Sequence, residues 1–320
     1  MSRRGGEKQM VPDATFTSYY GRPVIKQPVW RTPDVPGYLF LGGLAGASSV
    51  LAACSQQAGY GELARAARVG AAGAISLSAV ALVHDLGRPA RFLNMLRVFK
   101  PTSPMSVGSW LLAAYGPAAG AAAAAAVTGR APRAGTAAAT AAAVLGPCIA
   151  TYTAALLCDT AVPAWHEAHR EMPYLFAGSA AAAAGGLGML AVPPARAVPA
   201  ARLAVAGAAA ELTAGQLLKR RLGPVAEPYR AGRPGTLLRT GEILTACGLT
   251  AALAARGRHR AVAATAGAML MTASAVTRFA VFEAGQASAR DPEYTVRPQR
   301  ERIDRRESAR REAARREAGA

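Results

Sequence analysis

The sequence predicts an all-α polytopic membrane protein with eight transmembrane helices. Three observations carry that reading. Of 320 residues, 52% are apolar and only 18% are charged, and the charges cluster between long uncharged runs rich in alanine and glycine. Those runs reach the ~17–25 residues that a helix needs to cross a bilayer. Segments 105–127, 134–157 and 172–192 have no polar face, which the helices of a soluble bundle would need.

The eight runs are 36–56, 67–84, 105–127, 134–157, 172–192, 200–218, 237–255 and 260–282. They divide the chain into a polar N-terminal segment (1–34), four spans (35–171), four more (172–289) and a charged tail (290–320). Residues 1–34 lack an apolar core, so no cleavable signal peptide is expected there. The stretch SYYGRPVIKQPVW (Ser18–Trp30) joins prolines to Tyr19, Tyr20 and Trp30. Such a segment suits the membrane–water interface, where Tyr and Trp keep one end apolar and one wet. The first span contains GGLAGASS (Gly42–Ser49), whose small residues let helix backbones approach closely.

Between the second and third spans lies HDLGRPARFLNMLRVFKPTSPMSVGSW (His84–Trp110). It is longer and more varied than the ~2–8 residues that usually connect helices. Arg88-Pro89 and Lys100-Pro101 interrupt regular helix, because a residue before proline is pushed out of the αR region. The loop is built to present groups at a surface. Arg88, Arg91, Arg97 and Lys100, with Asp159 and His166, are candidates for docking a partner.

The fourth span ends in TYTAALLCDTAVPAWHEAHREMP (Thr151–Pro173). Tyr152 lies about two helical turns before Asp159, so it sits inside the bilayer edge while Asp159 reaches the surface. His166 and His169 are three apart with no third ligand nearby, and the HExxH spacing is missing. A solvated helix start is the better reading, and no metal is expected.

The late spans carry Glu211, Glu242 and Arg278. A charge near the centre of a membrane helix costs at least ~2.5–3.5 kcal/mol and usually faces the interior with a partner. Their similar depth predicts that Glu211 and Arg278 pair, with Glu242 close by. Structural pairing is favoured over proton conduction, since three charges in one leaflet do not make a transmembrane path. The tail ERIDRRESARREAARREAGA spaces Arg and Glu four apart, which supports a solvent-exposed helix. It serves either to dock a partner or to tether the chain to the membrane surface.

The net charge of +18 does not indicate nucleic acid, because the basic residues flank apolar runs instead of forming one stripe interleaved with aromatics. Cys54, Cys148, Cys158 and Cys247 form no CxxC, so no iron–sulfur cluster is expected in this chain. They read as small buried hydrophobes. An even number of spans puts both termini on one side, side A, with loops 85–104, 158–171 and 219–236. Side A holds 28 of the 37 Lys and Arg residues, against 9 on side B. Without the distant terminal cations the ratio is 18 to 9. The positive-inside rule then places side A and both termini in the cytoplasm, with the chain integral to the plasma membrane.

Five blocks in order resemble one family: SYYGRP (Ser18–Pro23), the His84–Trp110 loop, TYTAALLCDTAVPAWHEAH (Thr151–His169), EPYRAGRPG (Glu227–Gly235) and TRFAVFEAGQASARDPEYTVRPQR (Thr277–Arg300). The family is NrfD/PsrC, the membrane-anchor subunits of polysulfide-reductase-type molybdenum enzyme complexes. KPTSPMSVGSW is the most specific block. The resemblance implies two four-helix bundles, a quinone (menaquinone or ubiquinone) in the first, and no haem or metal of the chain's own. It also implies partners: a four-cluster ferredoxin-like iron–sulfur subunit and a molybdopterin catalytic subunit.

In that family a tyrosine of the fourth helix contacts the quinone and an acid ends the second helix; Tyr152 and Asp85 match. The family's helix-one histidine aligns with Tyr38, and its nearby asparagine with Asp34 or Val35, so the headgroup's hydrogen bonds are expected to differ. Tyr38 and Tyr152 would donate to the carbonyls. His84 and Asp85 would relay protons, His being the side chain that titrates nearest neutral pH. Asp85 has a second, compatible reading as an ion pair with Arg88 or Arg91. Two other functions compete: a purely structural tether for a soluble oxidoreductase, and a secondary transporter. The transporter wants broken helices in repeats near the midplane, and the fourth and fifth spans offer little of that.

Overall fold

The computed structural model describes residues 24–87, 90–255 and 259–300, together with 303, 306 and 308. Arg88, the SYYGRP block and most of the charged tail lie outside the described residues. Among those described there is no strand.

Residues 24–31 have no regular structure and lead into α1 (Asp34–Gln57). α2 (Gly61–Leu86) stops at Gly87, whose φ of 69° lets its N–H reach back to the His84 carbonyl. That left-handed geometry costs glycine least. A short α3 (Ala90–Met95) and a turn follow before α4 (Pro104–Thr128). Next come α5 (Pro132–Cys158), the single turn α6 (Pro163–His166) and α7 (Met172–Ala191). α8 (Val198–Arg221), α9 (Gly232–Ala255) and α10 (Arg260–Arg290) follow, and after a break residues 293–300 are again helical. α4 to α8 each start with proline in the first two positions. There its fixed φ suits the helix and its missing N–H forfeits no bond.

Among the described residues, seven helices are long and apolar enough to cross a membrane: α1, α2, α4, α5, α7, α9 and α10. α8 is 24 residues long but is not among them. Arg202 and Glu211 in its body, and the Lys219-Arg220-Arg221 end, lower its hydropathy.

α1 packs on α2 and α5, and α4 on α2 and α5. α7 packs on α8 and α10, and α9 on α8 and α10. The two groups meet mainly where α1 touches α7. These two are the central helices, each 67% buried over its most apolar stretch, against 28% for α2, α4 and α9. Lipid tails are as apolar as leucine, so close backbone packing must hold such helices together. At the α1–α5 crossing Gly46 lies on Gly146, and a Cβ on either would collide with the other's carbonyl. Gly186 and Gly267 do the same between α7 and α10.

The core forms two clusters, and each draws on both groups of helices. At side A, Leu39, Tyr115 and Leu157 join Trp165, Phe176, Tyr229 and Phe282. At side B, Leu51 and Leu63 join Met189, Ala204 and Leu270. Leu77, Val80, Val144, Ile243 and Leu253 point outward. The cysteines correct an expectation: only Cys158 is buried, while Cys54, Cys148 and Cys247 are exposed. On a helix surface facing lipid, an apolar side chain does not need the protein interior.

Candidate functional site

The side-A ends of α1, α2, α4 and α5 enclose a cavity of about 80 Å³. Tyr38, Asp85 and Tyr152 all line it, with Trp30 from the N-terminal segment and Met95 from α3. Gly108, within KPTSPMSVGSW, explains how the Tyr152 ring is seated. A Cβ there would run into the ring, with Cζ at 3.2 Å and two further carbons closer. Tyr38 meets the same ring edge-on, centroids 6.4 Å apart at 76°, a favourable aromatic arrangement. Tyr152 is 9% exposed, and its hydroxyl is buried without a hydrogen-bond partner. Leaving such a group unpaired costs about 1–3 kcal/mol. A residue lining the slot therefore carries a free, buried donor.

The two acids and the histidine beside the slot are arranged differently from expectation. Asp85 Oδ1 accepts a hydrogen bond from the Arg31 backbone N–H at 3.1 Å. Arg91 does not pair with it, donating instead to the Leu86 carbonyl at 3.0 Å. His84 Nδ1 meets Asp34 Oδ2 at 2.9 Å, with the imidazole 72% exposed. It lines an outer groove with Arg31, Val80 and Val83. Adjacent residues on a helix point about 100° apart, so only Asp85 of the expected relay pair faces the slot.

An aromatic stack closes the slot from the N-terminal side. Trp30 stacks on Trp165 with centroids 5.6 Å apart, and its carbonyl accepts from Gln286 Nε2 at 3.3 Å. Trp165 is fully buried, donates Nε1–H to the Val281 carbonyl at 2.8 Å and packs on Phe282. Its indole occupies the space left by Gly285. Sequence reasoning gave Trp165 no role. The available signal was the glycine in FEAGQ, and nothing local links it to a tryptophan more than a hundred residues earlier.

The expected docking residues share this end of the molecule. Arg91, Arg97, Lys100, Asp159 and His166 are exposed. Ser106 pins the loop that carries Lys100, accepting from the Lys100 N–H at 3.0 Å and donating to the Val98 carbonyl at 3.1 Å. His166 Nδ1 lies 3.1 Å from the Cys158 carbonyl.

A second polar centre lies among α7, α8, α9 and α10. Glu211 is 4% exposed and Arg278 0%. They interact electrostatically, but the direct pair expected from the sequence is not formed. Glu211 Oε2 accepts from Thr245 Oγ1 at 3.5 Å, and its Oε1 is buried without a hydrogen-bond partner. Arg278 donates Nη2–H to the Phe176 carbonyl at 2.8 Å, and its guanidinium lies 3.6 Å from the centre of the Phe176 ring. A Cβ on Gly43 of α1 would come within 3.3 Å of Nη2. Arg278, carried by α10, thus reaches the place where α1 meets α7. Glu242 pairs with Lys219 at 2.6 Å. Lys219 ends α8, where its long stem carries the ammonium back to the carboxylate.

Other charges brace the helix ends. Arg260 caps α7 by donating to the Met189 and Val192 carbonyls at 2.7 and 2.8 Å, and to that of Leu190. Arg221 bonds Glu171 at 2.5 Å and the Glu167 carbonyl. Arg196 pairs with Glu62 at the opposite end. Outside the spans, burial and then the nearby Glu227 push the Tyr294 phenol up to about 12.

A family model described as Polysulphide reductase, NrfD matches residues 24–202, more than half of the chain. The matched stretch contains every helix around the slot and ends within the first turns of α8. No curated protein matches the chain. With that match and seven helices fit to cross a membrane, the chain belongs to the polysulphide reductase NrfD family, integral membrane subunits of oxidoreductase complexes.

Proposed function

We propose that this subunit exchanges electrons between a membrane quinone held in the slot and an iron–sulfur partner docked at side A. One observation carries the reading: Tyr152, whose hydroxyl is buried and unpartnered, lines a cavity with Tyr38 and Asp85. Bound there, a quinone such as menaquinone or ubiquinone supplies two-electron, two-proton chemistry. The chain supplies a dry slot, hydrogen-bond donors in Tyr152 and Tyr38, and Asp85 held in place by the Arg31 N–H. The slot is smaller than the ~300–1,000 Å³ of an ordinary ligand pocket. Met95 and Met105 line it, and Met105 is 45% exposed. Their flexible thioethers let the slot widen and give an isoprenoid tail a way out.

In this reading α8 crosses the membrane with the other seven long helices, giving eight spans. α1, α2, α4 and α5 form the first bundle and α7 to α10 the second. Side A, both termini and the iron–sulfur subunit with its molybdopterin partner lie on the cytoplasmic face of the plasma membrane, as the basic loops favour. Tyr152→Phe in the intact complex tests the function. Quinone-coupled turnover should fall by about 100-fold or more, in the range expected when a positioned proton donor is removed, with assembly unchanged. Unaltered turnover would favour a purely structural tether.

A further inference from the structure

A second cavity, of about 520 Å³, opens at the same end between the 101–107 loop, the end of α5 and the start of α7. Tyr152 alone lines both this cleft and the slot. Its ring is held in the dividing wall by Gly108, and its hydroxyl has no partner. Asp159 and His169, both exposed, line the cleft. His169 is tethered through Nδ1 to the His166 carbonyl at 3.0 Å. The opposite wall of the slot offers less: Asp85 is engaged by the Arg31 N–H, and His84 is turned away onto Asp34.

We propose that this cleft is the proton entrance of the slot. Asp159 and His169 collect protons from water at the side-A surface, and Tyr152 passes them through the dividing wall. This rests on the quinone reading above. Reduction of one quinone takes two electrons from the partner's iron–sulfur carrier and two protons from the cleft. For each proton, the Tyr152 O–H bond breaks as an O–H bond forms on a headgroup oxygen. The phenol oxygen then regains a proton from cleft water, which Asp159 and His169 resupply. Oxidation runs the same steps in reverse. The other titratable groups here are the Cys158 thiol, which lines the cleft beside Asp159, Glu171, which is close enough to act on that thiol and is paired with Arg221, and His166, whose ring centroid is 6.3 Å from that of His169. The 101–107 loop and Pro173 add none.

The test uses the whole complex in native membranes, with menadiol as electron donor and a hydroxyquinoline N-oxide quinone analogue as binding probe. In the Asp159→Asn/His169→Gln double variant, menadiol oxidation should fall by about tenfold, with its pH profile shifted and analogue binding unchanged. Imidazole should restore part of the rate in His169→Gly, which lost docking of the partner would not allow. Unchanged rate and pH profile with the analogue bound would overturn the entrance and leave the slot standing. Loss of analogue binding in the double variant would also overturn it, because the pair would then be shaping the slot. Failure of the unaltered complex to bind the analogue would overturn both readings.

Discussion

The slot around Tyr152 and the centre around Arg278 both bury polar atoms that no hydrogen bond satisfies, yet they are built from different materials. The slot has a neutral hydroxyl beside an open cavity. The other centre has a carboxylate and a guanidinium packed among hydroxyls, a carbonyl and an aromatic ring. A neutral donor left unpaired costs about 1–3 kcal/mol, a cost the fold can carry until a ligand arrives. A buried charge costs several kcal/mol if uncompensated, so it must be enclosed by permanent contacts. In this membrane fold the place for a ligand is marked by the neutral donor, and the charges mark the joint between helices.

That contrast breaks if removing Arg278 proves mild. Arg278→Ala should lower stability by roughly 3–5 kcal/mol, since it leaves a hole at the α1–α7 junction and strips Glu211 of its compensating charge. Thermal unfolding of the purified protein would show it. Glu211→Gln, by contrast, keeps the shape and can still bond the Thr245 hydroxyl, so it should cost far less.

Gly108→Ala should act on the slot by crowding. The new methyl group displaces the Tyr152 ring, at a cost of about 1–3 kcal/mol for overpacking, and quinone-coupled turnover should fall with it. Normal turnover with normal stability would mean that the ring has room to move.

Lys219→Ala should have a smaller effect, about 1 kcal/mol, because the Lys219–Glu242 pair is partly exposed and solvent weakens it. The smallest stability change belongs to Tyr152→Phe. Deleting an unpaired hydroxyl should leave the melting temperature level or slightly raised, a gain of up to ~1 kcal/mol. A clear fall would show that the hydroxyl already has a structural partner.

The parts legible in the sequence are those set by composition along the chain. Uncharged runs announce the long helices, and proline and glycine place the ends of α2 and α4. The depth of Tyr38, Asp85 and Tyr152 brings them to one end, where they share a cavity. Hydropathy is blind to which side of a helix a residue takes, so His84 and Asp85 read as a pair although they diverge. It also counts Lys219 with the loops, when its stem reaches back to Glu242. Gly108 beneath Tyr152 and Gly285 beneath Trp165 are contacts between distant segments, and no local pattern encodes them. The fully buried Arg278 was recognisable as expensive, but its partner was not, because a guanidinium can be housed by a carbonyl and a ring as well as by a carboxylate.

The most direct test of the account is photolabelling of the intact complex with an azidoquinone, followed by mass spectrometry of the labelled peptides. The account predicts label on the segments around Met95–Ser109 and Tyr152, competed away by excess unlabelled quinone. Competable label on the segments around Glu211 and Arg278, with none near Tyr152, would contradict it.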